Sequence, residues 1–146
     1  MATAKDLQDA GKALNVASDQ FNESLSLVEA LLKRLSLGVP AWVDMPEKEG
    51  SESGYQFGYS KYGGKWGLYV SERNTITGKL VHCWPMPEVS RPIRVQAAVL
   101  IPDLLDAMML RANDMRVLME KRSQETKAFV VAMSAALEEP NGNQRT

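Results

Sequence analysis

The chain has 146 residues, 45% of them apolar and 24% charged, with a formal net charge of −1. That is enough chain for one hydrophobic core, and the ordinary composition excludes a disordered or collagen-like polymer. The near-neutral total removes any global polyelectrolyte signal for nucleic acid or membrane, and a single cysteine, Cys83, excludes an internal disulfide.

A lone cysteine suits a reducing compartment. Residues Met1 to Asp6 lack the apolar run of a signal peptide, and the apolar stretches are too short to span a bilayer. The expectation is a cytoplasmic protein with no membrane partner. Charge is unevenly placed. Residues 1–53 hold five basic and nine acidic groups, 54–94 six and two, and 95–146 six and seven. The middle of the chain is locally basic.

Thr3 and Asp6 make a T-x-x-D start, a variant of the capping box. Leu7, Leu14, Phe21, Val28 and Leu35 then recur every seven residues. Such a seam predicts a helix over 4–37 that packs on another helix. Gly11, Ser18, Leu25 and Leu32 flank it. Gly38 reads as the left-handed residue after the helix, and Pro40 blocks continuation. Residues 39–46 read as a short edge strand or extended segment, because their prolines remove ladder donors. Glu47 to Gly54 reads as a solvated loop, and Glu47, Glu49 and Glu52 lack the spacing of a calcium loop.

Tyr62-Gly63-Gly64-Lys65 predicts a two-residue hairpin turn, since both glycines accept positive φ. Pairing Tyr62 with Lys65 fixes the register: Lys61 opposite Trp66, Tyr59 opposite Leu68, Phe57 opposite Val70. One face is then apolar (Tyr55, Phe57, Tyr59, Trp66, Leu68, Val70), and Tyr69 lies over Gly58 on a small, polar face that is expected to stay exposed. A third hairpin strand over Lys79–Trp84, with Leu80, His82 and Trp84 on one face, completes an antiparallel meander of three or four strands over 39–86.

Ser90 caps a short helix through Pro92 to Leu100, and Pro102 restarts a long one that runs to about Leu137. Its stripe is Ala98, Ile101, Leu105, Met108, Ala112, Met115, Met119, then Arg122 and Thr126, then Phe129, Met133 and Ala136. Pro140-Asn141-Gly142 ends it, and 140–146 read as a disordered tail. The fold class is therefore α+β: one domain over 1–139, with a long first helix, the meander, and helices over 90–138, the last packed antiparallel on the first. A lone pair of helices buries little, and a three-stranded sheet has only one covered face, so a homodimer is expected, with a four-helix bundle as one form.

Chemistry is sparse. His82 and Cys83 are adjacent, so a strand sends them to opposite faces and they cannot form a nucleophile–base pair. One histidine and one cysteine do not make a zinc site. Gly63-Gly64-Lys65 lacks phosphate-loop spacing. No catalytic residue, metal or cofactor is assigned, and the chain is read as a non-enzyme. A site across a dimer interface around His82, Arg91 and Arg94 is the remote enzymatic option.

Two surfaces are left. The helix seams (Leu7, Leu14, Phe21, Val28, Leu35 with Leu105, Met108, Met115, Met119, Phe129, Met133) serve oligomerisation, although methionines also serve as plain core filling. The hairpin region (Lys61, Tyr62, Lys65, Tyr69, Arg73) serves a partner. The expected function is a protein-interaction, adaptor or inhibitor-type accessory role, by analogy with small bacterial or phage proteins. The alternative is a nucleic-acid-binding protein that uses the basic, aromatic segment 54–94.

Overall fold

The computed structural model describes residues 1–46 and 50–138. Glu47 and Glu49, the helix-ending Pro140-Asn141-Gly142 and the tail 140–146 lie outside the described residues. Helix α1 spans Ala4–Leu35, strands β1 to β4 span Ala41–Asp44, Ser53–Tyr62, Lys65–Asn74 and Leu80–Pro85, a single 3-10 turn spans Met86–Glu88, and helices α2 and α3 span Arg91–Val99 and Ile101–Glu138. The fold is α+β. The chain divides into two compact units, Met1–Arg111 and Ala112–Thr146.

The start of α1 is a capping box. The Thr3 hydroxyl accepts from the Asp6 amide at 3.1 Å, and the Asp6 carboxylate accepts from the Thr3 amide at 2.9 Å. These hydrogen bonds to the ionised form hold the Asp6 carboxyl below its ordinary value. The far end differs from expectation. The helix stops at Leu35, and the left-handed residue is Ser36 at φ 50°, ahead of Gly38. The Ser36 amide and hydroxyl both donate to the Lys33 carbonyl, at 3.2 and 3.1 Å, which offsets the cost of positive φ on a residue with a side chain.

The four strands form one antiparallel sheet in the order β1-β2-β3-β4. The β2–β3 register is the one the Gly-Gly turn dictates: Tyr62 opposite Lys65, Lys61 opposite Trp66, Tyr59 opposite Leu68 and Phe57 opposite Val70. Gly63 and Gly64 sit at φ 60° and 81°, where a Cβ would be strained. The β3–β4 ladder shifts between Glu72 and Arg73, so His82 faces Glu72 while Leu80 faces Arg73. Val81 takes up the extra residue. Leu80 is therefore out of line with His82 and Trp84, which corrects the alternation expected for that strand.

The core lies on the predicted apolar face. Phe57, Tyr59, Leu68 and Val70 join Leu25 and Leu32 of α1, Met86, Val89, Ala97 of α2, and Leu104 and Met108 of α3 in one buried cluster. Thus the buried line of α1 runs through Leu25 and Leu32, with Phe21 and Val28 beside it, rather than along Leu7, Leu14 and Leu35, which are exposed. The reason is that a four-stranded sheet offers α1 a wider apolar face than a single helix does, and the widest apolar part of α1 is its C-terminal half. The break between α2 and α3 follows from Pro102, which has no amide to continue the ladder. The Leu100 amide turns back to the Ala97 carbonyl at 2.9 Å instead.

Candidate interaction surfaces

The hairpin end of the sheet meets the C-terminal half of α1. Two adjoining grooves open there, of about 490 and 390 Å³. They share Lys33, Lys65 and Trp66. Trp66 is half-buried and stacks on buried Tyr59, with ring centroids 5.4 Å apart. Lys33 forms an ion pair with Glu29 at 3.1 Å, and the Glu29 carboxylate lies over Gly67, where a Cβ would sit 2.9 Å from its Oε1. Lys61 and Lys65 are exposed, and no carboxylate among the described residues pairs with them. The hairpin tip is thus a small cationic knob beside an open, partly aromatic groove.

Tyr69 does not belong to that exposed set. It is buried, and its hydroxyl donates to the Lys65 carbonyl at 2.8 Å, with the Tyr62 carbonyl at 3.2 Å as a second acceptor. Gly67 leaves room beside its ring, since a Cβ there would lie 3.5 Å from Tyr69 Cε2, and Tyr62 packs on it edge-to-face. Its phenol titrates above the ordinary value, chiefly because burial disfavours the phenolate, and Tyr59 does so for the same leading reason. Arg73 is also occupied: its Nε donates to Gln56 Oε1 at 3.1 Å, and Gln56 Nε2 donates to Asp44 Oδ1 at 2.8 Å. Of the hairpin residues singled out from sequence, Lys61, Tyr62 and Lys65 remain available, while Tyr69 and Arg73 hold the sheet.

His82 and Cys83 face opposite ways, as alternation requires. His82 packs on Trp84 at 4.2 Å, and Cys83 sits opposite Ser71. Burial raises the Cys83 thiol above its ordinary value, partly countered by Arg73. Arg91 and Arg94 instead engage α1: Arg91 donates to Asn15 Oδ1 at 2.8 Å and Arg94 to Asn22 Oδ1. Arg94 is only 6% exposed, and its Nε has no partner. A groove of about 200 Å³ beside these arginines is floored by Leu14, Phe21 and Val95.

In the second unit the stripe of α3 is uncovered. Met115, Met119, Phe129 and Met133 are all exposed, Met119 and Phe129 at 63%. Of the seam residues on α3 only Met108 is fully buried; Leu105 is exposed. The stripe carries ion pairs along its length, Arg116 to Glu120 at 2.9 Å and Arg122 to Glu125 at 2.8 Å. Among the described residues no helix is long and apolar enough to cross a membrane, and no group of three His, Cys, Asp or Glu is placed to hold a metal ion.

No protein-family model matches the chain, and neither a curated protein nor a solved structure is similar to it.

Proposed function

We propose that this chain is a non-enzymatic interaction protein that self-associates through its long helices and offers the hairpin end of its meander to an acidic protein partner. The observation that carries this reading is the uncovered apolar stripe of α3. A lone helix in water gains little from hydrogen bonding alone and is marginal without tertiary packing. Exposed apolar patches of this extent on a folded chain mark interaction surfaces. The unpaired Lys61 and Lys65 supply a positive patch that complements an acidic surface and steers its approach, and Trp66 beside them is an aromatic of the kind enriched in protein interfaces.

Amide hydrogen exchange tests the assembly. Amides of 115–136 are expected to gain protection as protein concentration rises. Rapid exchange there at every concentration would contradict it.

A second reading has one favouring feature. Trp66 flanked by Lys33 and Lys65 suits a base stacked beside a cationic backbone track. It predicts retention of single-stranded oligonucleotides at low salt, lost on Lys65→Ala and at raised ionic strength. No retention at low salt leaves the acidic protein as the partner class.

A further inference from the structure

The uncovered stripe of α3 reads nearly the same in both directions. At alternating three- and four-residue steps it runs Ala112, Met115, Met119, Arg122, Thr126, Phe129, Met133, Ala136. Reflected about position 124, Ala112 meets Ala136, Met115 meets Met133, Met119 meets Phe129, and Arg122 meets Thr126. We infer that the occupant of this face is the same face of a second copy, running antiparallel, with the two-fold axis at Gln124. This rests on the self-association proposed above and adds its geometry.

A two-fold interface must be self-complementary, since residue i meets j and j meets i. The stripe satisfies that in size, layer by layer. It also satisfies it in charge. Arg122 already pairs with Glu125 of its own helix at 2.8 Å. In the antiparallel register, Glu125 of the second copy lies at nearly the same axial level as Arg122, so two guanidiniums and two carboxylates ring the axis with no net charge. Thr126 needs no partner there, because its hydroxyl donates to the Arg122 carbonyl of its own helix at 2.7 Å. A parallel, in-register pair would instead put Arg122 against Arg122 in one layer, and like charges in one layer repel. A single polar layer of this kind fixes register and orientation at some cost in stability. The flanks agree: Leu118 of one copy lies against Ala132 of the other, and the aliphatic stem of Arg116 lies along Val130.

The orientation is read by cross-linking in a Cys83→Ala background. Met119→Cys and Phe129→Cys chains, mixed and oxidised mildly, are expected to form a covalent pair, while each alone does not. Spin labels at exposed positions leave the seam intact and give an independent distance. A label at Gln124→Cys lies level with the axis on the outer face, so it has no axial offset from its mate and gives the shorter separation of the two. One at Ser134→Cys is displaced by 20 residues along the helix from its mate, ~30 Å at ~1.5 Å per residue. Self-linking of Met119→Cys, or short distances at both labels, would overturn the antiparallel register. A dimer by sedimentation with no cross-link and long distances at both labels would place the interface elsewhere and also overturn it. A monomer by sedimentation would remove the self-association on which it rests.

Discussion

Arg94 offers the sharpest test of the packing between α1 and α2. The residue is 6% exposed, its guanidinium forms no ion pair with a carboxylate among the described residues, and Asn22 is its side-chain acceptor. Asn22→Ala leaves a buried charge without that acceptor. A hydrogen bond to a charged group is worth about 1.5–3 kcal/mol, and an orphaned buried charge adds a desolvation cost, so a loss of about 2–3 kcal/mol is expected. For a domain of this size that is a fall of roughly 5–10 °C in Tm.

Asn22→Asp acts in the opposite direction, because it supplies a counter-charge of nearly the same shape. Its carboxyl should titrate below the ordinary value of about 3.9. The gain is therefore present at neutral pH and lost as pH falls through the depressed value. Arg94→Met removes the charge together with its desolvation cost and should change stability little. Urea unfolding followed by tryptophan fluorescence, at one fixed protein concentration, measures all three. If Asn22→Ala costs under about 0.5 kcal/mol and Asn22→Asp brings no gain, the guanidinium is hydrated and the reasoning fails.

Other expectations concern the sheet. Gly58→Ala would place a methyl inside the Trp42 ring and 2.6 Å from the Ala41 carbonyl oxygen. A loss of about 1–3 kcal/mol by urea unfolding is expected, and a neutral change would show that β1 yields freely. Tyr69→Phe should cost about 1 kcal/mol at neutral pH through its lost hydrogen bond. Because the phenol titrates higher folded than unfolded, its stabilisation is full below about pH 10 and declines as pH rises beyond it. The wild-type chain should therefore lose stability in alkali more steeply than Tyr69→Phe. Cys83, with its raised thiol, should label with iodoacetamide at pH 8 at least ~10-fold more slowly than the unfolded chain. Equal rates would mean that β4 opens readily.

Local signals were legible where one chemical constraint decides the outcome. Gly63-Gly64 needs positive φ, so the turn, and with it the whole β2–β3 register, follows from two residues. The Thr3–Asp6 cap and the Pro102 restart are of the same kind. The buried line of α1 was less legible. Leu7 to Leu35 and the neighbouring line through Leu25 and Leu32 are both plausible apolar stripes, and only the sheet that α1 packs against selects between them. Tyr69 was misread for a related reason. A tyrosine on a small, polar face looks exposed, until Gly67 leaves room beside its ring and two turn carbonyls accept its hydroxyl. The Arg94–Asn22 contact joins residues 72 apart in sequence, and no local pattern specifies such a pair. The grooves at Lys33, Lys65 and Trp66 likewise exist only once α1 crosses the hairpin.

Sedimentation equilibrium of the intact chain tests the self-association most directly. At micromolar concentration the mass should be at least twice the 16.2 kDa of one chain, and Phe129→Asp should return it to the single-chain value, since a carboxylate in the seam would be buried without a partner. A wild-type mass of one chain throughout that range would contradict the assignment of α3 as an association surface.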